Sequence, residues 1–242
     1  MTPGSSDVSA VALVPARAGS TRLPGKNVKP LAGRPLLAWS IAAAQESGLF
    51  DAVVVSTDDE HIAEISRECG AEVPGLRPKD MAGSTSPDIE WVAYTLDRLA
   101  SRGRRFDLFS ILRPTSPFRT AATIRRAWDQ LLAADPPADS IRAVELCRQH
   151  PGKMWVLDGD AMRPLLAQSP ADRVPTHSRQ YQDLPQVWVQ NSSLEIAWTR
   201  VVSELHSISG ERVLPFFTEG AEGLTIDYPD DWERAEALAA RS

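Results

Sequence analysis

Cysteine is scarce in this 242-residue chain, which has two, Cys69 and Cys147. Neither has a C-x-x-C partner, so the sequence holds no disulfide framework and no cysteine metal or redox motif, and we expect both thiols to be reduced. No apolar run approaches the roughly 18 residues that a membrane helix needs. The first seven residues lack the basic and apolar regions of a secretion signal. These absences predict a soluble, cytoplasmic protein without a membrane partner.

Further classes of function are disfavoured by charge and by missing motifs. The formal charge of −6 argues against general nucleic-acid binding. The four histidines have no zinc-ligand spacing, and neither G-x-S-x-G nor G-x-G-x-x-G occurs. A P-loop fails on spacing, because Ser20 stands where its first glycine would be and Asn27 follows Lys26 in place of serine or threonine.

What the chain does have is an ordinary globular composition, with 43% hydrophobic and 24% charged residues. No internal repeat or low-complexity linker divides it. We therefore expect one domain over residues 8–242, preceded by a disordered tail of residues 1–7.

Strand and helix patterns alternate through the first 146 residues. Buried strands are predicted at four places: 10–16, 51–57, 107–112 and 140–146. Helices with apolar faces are predicted to start at Pro35, at a capping box of Thr57 with Glu60, and after Thr120. This alternation predicts an α/β fold with a mostly parallel sheet covered on both faces, in which ligands bind at the carboxyl ends of the strands.

The second half of the sequence is less regular. An Asp-Gly turn at Asp158 predicts a hairpin, and the proline-studded residues 168–186 predict a long loop, a lid or an arm exchanged between subunits. Strands are predicted again at 194–198 and 224–228, and a closing helix begins at or near Pro229.

The stretch "PARAGSTRLPGKN", residues 15–27, belongs to an unusually cationic region. Between Val8 and Gln45 there is no acid, and there are five basic residues: Arg17, Arg22, Lys26, Lys29 and Arg34. Solvated surface cations are the ordinary explanation of such a cluster. Its position after the first buried strand favours a polyphosphate site, since the amides of a glycine-containing turn and the cations can converge there on the phosphates.

Six segments of the sequence carry a family resemblance. In order they are "VPARAGSTRLPGKNVKPLAGRPLLAWSI", "VVVSTDDEHIAEI", "GAEVPGLRPKDMAGSTSPD", "LRPTSPFRT", "HPGKMW" and "TIDYPDDWERAEAL". Together they resemble the acylneuraminate cytidylyltransferases, the CMP-sialic acid synthetase family, over nearly all of residues 10–240. The resemblance implies a single-domain, three-layer α/β/α Rossmann-like nucleotidyltransferase fold with a mostly parallel sheet. It also implies a homodimer, with an irregular dimerisation or lid insertion at about 148–190 near the partner's site.

The activity implied by the resemblance is Mg²⁺-dependent transfer of CMP from the co-substrate CTP to a small acidic acceptor, with release of pyrophosphate. The acceptor it implies is a sialic-acid-like (nonulosonic) sugar acid. Two alternatives stay open. One is transfer of CMP to another anion, such as a phosphonate or a sugar phosphate, and the other is a nucleotide-binding protein that has lost turnover.

The matched segments also imply the site residues. Lys26 and Arg17 would act in catalysis on the triphosphate, together with Asp227 as the metal ligand. Six further residues would contact the nucleotide: Ala16, Ser20, Asn27, Arg77, Ser86 and Asp88. Five would form the acceptor side: Arg113, Ser116, Lys153, Gln182 and Asn191. For Arg77 the alternative is an exposed arginine in a turn.

Three departures from the family pattern qualify these assignments. The D-x-D metal pair is "TID" here, with Thr225 first, so Asp227 and phosphate oxygens would hold Mg²⁺ more weakly, or Asp227 would cap the closing helix. Arg113 stands before "PTSP", where the family commonly has a glutamine. Its guanidinium suits bidentate pairing with an anion or an ion pair with a neighbour. The sequence "NSSLE" replaces the family's usual "NGAIY" and keeps its asparagine as Asn191. Nearby, Val189 stands where an arginine is common in the family. The donor side is thus closer to the family than the acceptor side.

Overall fold

The structure is a computed structural model that describes residues 8–167 and 173–240. Its chain forms two compact units, one made by the residues up to 143 and from 191 onward, the other by residues 144–190. The predicted tail of residues 1–7 and the first part of the predicted loop, 168–172, lie outside the described residues. Within the described residues, no helix is both long and apolar enough to cross a membrane.

The described strands are β1 (Ala10–Pro15), β2 (Pro30–Leu31), β3 (Arg34–Pro35), β4 (Ala52–Ser56), β5 (Leu108–Ile111), β6 (Ser140–Leu146), β7 (Trp155–Asp158), β8 (Ala161–Pro164), β9 (Trp188–Trp198) and β10 (Val213–Phe217). The α-helices are α1 (Leu36–Ser47), α2 (Glu60–Glu68), α3 (Asp88–Ala100), α4 (Ala121–Leu132), α5 (Arg200–Leu205) and α6 (Pro229–Ala239). Six strands form one sheet in the order β10-β6-β9-β5-β1-β4, and β2 with β3 and β7 with β8 form two-stranded sheets.

In the large sheet, β1 lies between β5 and the edge strand β4. It pairs in parallel with β4, with Pro15 opposite Ser56, and in parallel with β5, with Leu13 opposite Ile111. The far side of β5 pairs antiparallel with β9. The carboxyl ends of β4, β1 and β5 therefore lie side by side at one edge of the sheet.

Helices cover both faces of the sheet, as the sequence predicts. Successive residues of β1 alternate between two cores: Ala12 and Val14 pack in a cluster with residues of α1 and α4, and Val11 and Leu13 in a cluster with residues of α3 and α5. This alternation follows from the period of two along a strand. The three-layer α/β/α architecture is confirmed.

The two predicted helix caps differ in outcome. Thr120 caps α4, accepting a hydrogen bond from the amide of Thr123 at 3.2 Å. The predicted capping pair of Thr57 with Glu60 is wrong, because Asp59 caps α2 and accepts from the amide of Ile62 at 2.9 Å. Both caps supply an oxygen to first-turn amides that have no partner within the helix.

The predicted strand at 224–228 is wrong. Ile226 donates its amide to the carbonyl of Thr115 at 2.8 Å and accepts at its own carbonyl from Nζ of Lys26, also at 2.8 Å. Its side chain is fully buried in a third cluster with Leu31 and Trp232. The apolar Ile226 is thus buried as the pattern predicts. Its backbone amide and carbonyl, however, form hydrogen bonds with a loop and a lysine side chain, and not with a neighbouring strand.

The second unit contains the predicted hairpin, β7 with β8, whose turn has Gly159 at φ 62°. It also contains three short 3-10 turns, Pro151–Lys153, Thr176–Ser178 and Tyr181–Asp183. The strand predicted at 194–198 is the end of a longer strand, β9, that begins at Trp188. Both cysteines are free thiols, as predicted.

Candidate active site

A cavity of about 280 Å³ opens at the sheet edge where ligand binding was predicted. Pro15 is the last residue of β1, and Arg113 and Thr115 follow β5. The cavity is lined by Pro15, Arg17, Ser20, Thr21, Arg22, Lys26, Asn27, Arg77, Met81, Gly83, Ser84, Ser86, Asp88, Trp91, Arg113, Pro114, Thr115 and Asp227. This lining has five cationic side chains and two carboxylates, an excess of positive charge in a protein whose net charge is −6.

The cationic loop after β1 is held by its own backbone and by two neighbouring loops. Asn27 Nδ2 donates to the carbonyl of Arg17 at 3.0 Å, and Asp58 accepts from the amide of Ala18 at 2.9 Å. Arg17 donates to the carbonyl of Gly83 at 2.5 Å. Gly25, at φ 66°, takes the left-handed conformation that precedes the 3-10 turn Lys26–Val28. The loop is therefore fixed before any ligand binds.

Lys26 is the most buried cation of that loop, with 8% of its surface exposed. Its Nζ donates to the carbonyl of Ile226 at 2.8 Å and lies 3.3 Å from Oδ1 of Asp227. Burial lowers the pKa of the Lys26 ammonium, and Asp227 offsets part of this effect. The ammonium retains a donor for a ligand, since an ammonium group has three.

Asp227 is shared between two cations. Besides Lys26, Arg22 places NH1 3.8 Å from the same Oδ1, and the Arg22 guanidinium lies 5.0 Å from the ring centre of Tyr228. The helix-capping role that was the alternative for Asp227 belongs to Asp231, whose Oδ2 accepts from the amides of Asp227 and Tyr228 at 2.9 and 2.8 Å. The Asp227 side chain is left facing the cavity.

The fit of this corner to Mg²⁺ follows from its donors. Within the described residues, no cluster of three or more histidine, cysteine or acidic side chains is placed to hold a metal. One cavity carboxylate, Asp227, is next to two cations. Mg²⁺ is often held by one or two carboxylates plus substrate phosphates. The corner therefore fits Mg²⁺ as an ion shared between Asp227 and a bound triphosphate, and not as an ion held by the protein alone.

Arg77 is buried, which excludes the exposed turn that was its alternative. Its Nε and NH2 donate to Oγ and the carbonyl oxygen of Ser56, the last residue of β4, at 3.1 and 2.9 Å. The guanidinium lies 4.8 Å from the ring centre of Trp91. Burial lowers the pKa of Arg77 to about 10, so the side chain stays cationic at neutral pH.

Arg113 forms ion pairs on both sides. Its NH2 lies 2.8 Å from Oδ2 of Asp88 and 2.8 Å from Oε1 of Glu195. Glu195 in turn lies 2.5 Å from NH2 of Arg142. Burial alone would raise the pKa of Asp88, but Arg113, a hydrogen bond from Trp91 and the nearby Arg77 together hold it below its usual range. The ion-pair alternative for Arg113 is thus the arrangement in the structure.

Other residues assigned to the nucleotide differ in placement. Ser20, Asn27 and Ser86 line the cavity. Ala16 is fully buried, and its amide donates to the carbonyl of Ser56 at 3.0 Å, so that amide is not free to bind a base.

The predicted acceptor-side residues belong to both compact units. Ser116 is fully buried, and Asn191 Nδ2 donates to Oγ1 of Thr218 at 2.9 Å; neither is among the described residues that line the cavity. Lys153 and Gln182 belong to the second unit. There, Lys153 Nζ donates to the carbonyls of His177, at 2.9 Å, and Arg179.

Comparison with known proteins identifies the family. Residues 11–150 match the family model described as cytidylyltransferase. The chain is also 35% identical over 233 residues to CMP-N,N'-diacetyllegionaminic acid synthase of Legionella pneumophila, which covers 94% of this chain and 95% of that protein. The chain belongs to the cytidylyltransferase family. It is therefore a CTP-dependent nucleotidyltransferase.

One further relative and one solved structure are similar to this cytidylyltransferase. Pseudaminic acid cytidylyltransferase of Campylobacter jejuni is 33% identical over 120 residues, half of this chain and 52% of that protein. CMP:2-keto-3-deoxy-manno-octonic acid synthetase, solved in complex with CTP, superposes with a TM-score of 0.68 over 96% of this chain and 99% of that one, at 15% identity. This second likeness supports the Rossmann-like nucleotidyltransferase fold.

Several cavity residues were not assigned from the sequence. Arg22 and Thr21 lie in the cationic loop, where the excess of basic residues was the available signal. No role was predicted for Trp91. Glu195, which pairs with Arg113 but is not among the described residues of the cavity lining, lies in the altered "NSSLE" segment. Nothing in the sequence linked Glu195 to Arg113, because the two are 82 positions apart and meet only through the contact of β9 with the end of β5.

Proposed function

We propose that this cytidylyltransferase transfers CMP from CTP to a nonulosonic sugar acid and releases pyrophosphate. The observation that carries the proposal is the cation excess of the cavity. Three of its five cations, Arg17, Arg22 and Lys26, come from the loop after β1, and carboxyl ends of parallel strands are the usual ligand sites of such sheets. The triphosphate is the most highly charged part of the substrates, so it belongs at this loop.

In the reaction, an oxygen of the acceptor hydroxyl attacks the α-phosphorus of CTP. A new phosphorus–oxygen bond forms, the bond to the bridging oxygen breaks, the hydroxyl proton passes to water, and pyrophosphate leaves. At an effective dielectric of about 20, a cation ~4 Å from a phosphate oxygen contributes roughly 4 kcal/mol before desolvation. Cations that contact the leaving pyrophosphate more strongly than bound CTP lower the barrier.

The cavity residues divide between these tasks. Lys26 and Arg17 would bind the triphosphate, with Lys26 on the leaving group because burial and Asp227 fix its ammonium. Arg77, Ser86 and Asp88 would contact the cytidine, since they line the part of the cavity formed by the residues after β4 and the start of α3.

Mg²⁺ bound to the triphosphate would supply further neutralisation of phosphate charge. Asp227 would be its protein ligand, and Thr225 leaves this chain without the second carboxylate of the family pattern. Lys26 and Arg22, which approach the same carboxylate oxygen, hold Asp227 in place at the edge of the cavity.

The acceptor is the finer part of the proposal. The relative that covers nearly the whole chain is named for a CMP-legionaminic acid product, and the pseudaminic acid relative supports the same class of nine-carbon sugar acids. Lys153, Gln182, Asn191 and Ser116 stay proposed acceptor-side residues. Because CTP is a cytoplasmic nucleotide, we place the reaction in the cytoplasm.

A homodimer is supported by the surface of the second unit. Most of the large apolar side chains left exposed in the described chain belong to residues 144–190. Leu157 and Met162 pair across the hairpin and are 80% and 57% exposed. Exposed apolar patches of this kind mark interaction surfaces. A second copy of the chain is the partner proposed, with residues 148–190 at the interface.

An acceptor panel tests the proposal. Purified protein with CTP and Mg²⁺ is given legionaminic, pseudaminic and N-acetylneuraminic acids, a phosphonate and a sugar phosphate, and pyrophosphate release is measured with mass detection of the CMP product. We expect release with a nonulosonic acid. Release with the phosphonate or sugar phosphate alone would establish transfer to another anion, and CTP binding without any release would establish a nucleotide-binding protein.

A further inference from the structure

Four alternating charges cross the sheet next to the cavity. Asp88 opens α3, Arg113 follows β5, Glu195 lies on β9 and Arg142 on β6. The pairs between neighbours are 2.8, 2.8 and 2.5 Å long. Two cations and two carboxylates leave this row without net charge, so it differs from the cationic loop on the other side of the cavity.

This arrangement leaves Arg113 poorly suited to bind an acceptor carboxylate. Its NH2 already donates to Asp88 and Glu195, and its NH1 lies 3.5 Å from Oδ1 of Asp88. A third carboxylate beside this guanidinium would meet the negative charges of both partners, and its binding would require one of them to be displaced.

Asp88, in contrast, is presented to the cavity. Oδ1 accepts from Nε1 of Trp91 at 2.7 Å, and Oδ2 accepts from Arg113. A carboxylate has about four lone-pair positions, so acceptor capacity remains on the cavity side. A group with amino hydrogens, such as the exocyclic amine of cytosine, can donate to it, whereas the carbonyl at the same position of uracil would be repelled.

We propose that Arg113 is a positioning residue for nucleotide selection: it holds the ionised Asp88 carboxylate toward the base and so favours CTP over UTP, and it does not bind the acceptor. The inference depends on the proposed use of CTP. It reassigns Arg113 from the site of the acceptor substrate to the site of the CMP donor, CTP. Glu195 holds Arg113 in place by its ion pair, and Arg142 holds Glu195 in turn.

The test is CTP and UTP binding by calorimetry, together with KM for the acceptor, in three variants. Arg113→Gln should weaken CTP binding by about tenfold or more, as expected for loss of a charge-assisted hydrogen-bond network, while UTP binding and the acceptor KM change little. Asp88→Asn should lower the ratio of CTP affinity to UTP affinity by a similar factor. The double variant should bind CTP no more weakly than Asp88→Asn alone, because Arg113 acts through Asp88.

A pH series separates positioning from general damage to the fold. The charged groups that face Asp88 are Arg113 from the end of β5 and Arg77 from the loop after β4, and Glu195 lies behind Arg113. Removing Arg113 should raise the pKa of Asp88, so the loss of CTP affinity on acidification should begin at a higher pH in Arg113→Gln than in the wild type. Arg113→Lys should restore part of the original profile.

Arg126→Gln is the matched control, since it removes an arginine that forms its own ion pair, 3.0 Å from Glu222, and is not among the described residues that line the cavity; the ratio of CTP to UTP affinity should stay unchanged. A rise in the acceptor KM with normal CTP binding in Arg113→Gln would overturn the inference, and so would an unchanged ratio in Asp88→Asn if Arg113→Gln does not fold. A wild-type protein that binds no CTP would overturn the proposed function as well, whereas the other failures leave it standing.

Discussion

Nζ of Lys26 lies 2.8 Å from the carbonyl oxygen of Ile226, although 200 residues separate the two in the chain. The contact joins the loop after β1 to the segment that leads into α6. Through it, the ammonium that faces the cavity and the carboxylate of Asp227 are positioned by the same segment.

Lys26→Ala should lower kcat for pyrophosphate release by well over tenfold, because the leaving group loses its fixed cation; a tenfold loss is about 1.4 kcal/mol. Steady-state kinetics with CTP and the accepted sugar acid measures it. Lys29→Ala is the control, since Lys29 lies over the Trp232 ring, 4.1 Å from its centre, and is not among the described cavity residues. Near-normal turnover in Lys26→Ala would remove this lysine from the mechanism.

Arg22→Ala should raise the KM for CTP severalfold with a smaller change in kcat, since this half-exposed side chain adds charge to the triphosphate site without the fixed hydrogen bond of Lys26. The measurement is a CTP titration at saturating acceptor. Arg34→Ala, whose guanidinium lies over Trp39 and outside the described lining, should leave that KM unchanged. Equal effects of the two variants would assign the Arg22 effect to general surface charge.

Thr225→Asp should tighten the apparent affinity for Mg²⁺, because it restores a second carboxylate two residues before Asp227. Activity against Mg²⁺ concentration gives that affinity, and Mn²⁺ binding in the presence of CTP gives it independently of turnover. Thr225→Asn introduces a side chain of the same shape as aspartate without its charge, and its apparent affinity for Mg²⁺ should equal that of the wild type. If Thr225→Asp also behaves as the wild type, Asp227 is not the metal ligand.

Arg119→Leu should destabilise the fold more than it alters chemistry. Arg119 is fully buried, and among the described residues it has no acidic partner; it donates to Oγ of Ser40 at 2.6 Å and to the carbonyl of Ser193. Each buried acceptor left unpaired costs about 1–3 kcal/mol. Urea unfolding should show a loss of that order. Arg125→Leu, which removes bonds to two carbonyls at a more exposed site, should cost clearly less.

Leu157→Asp should convert the proposed dimer to a monomer, since it places a charge at the most exposed apolar residue of the hairpin. Sedimentation velocity measures the change. Leu205→Asp, an exposed leucine at the end of α5, should leave the assembly intact. A wild-type protein that sediments as a monomer would refute the dimer directly.

The strands of the parallel core could be predicted from the sequence because each is a short apolar run, and helices bury it on both faces of the sheet. The strand predicted at 224–228 was wrong because the alternating pattern belongs to a packed loop, whose backbone partners Thr115 and Lys26 are distant in sequence. The cap of α2 was missed by two residues because several adjacent acids and a threonine could each serve.

The candidate site was predictable where it depends on one local segment. The polyphosphate site was predicted from the charge of residues 15–27 together with their position after the first buried strand, and Arg17, Ser20, Lys26 and Asn27 line the cavity. The partners of Arg113 were not predictable, because they come from α3 and β9 and meet through the order of strands in the sheet. A local pattern carries no information on that order.

The chain leaves the large sheet after β6 and returns to it in β9, and these two strands are neighbours in the sheet. The amide of Cys147 donates to the carbonyl of Val187 at 3.0 Å, so the two ends of the excursion are tied together. Residues 147–187 thus leave the sheet and return to it at adjacent strands. Because the two ends of this insert meet, a change in its length need not alter the pairing of β4, β1 and β5, the strands whose ends form the cavity.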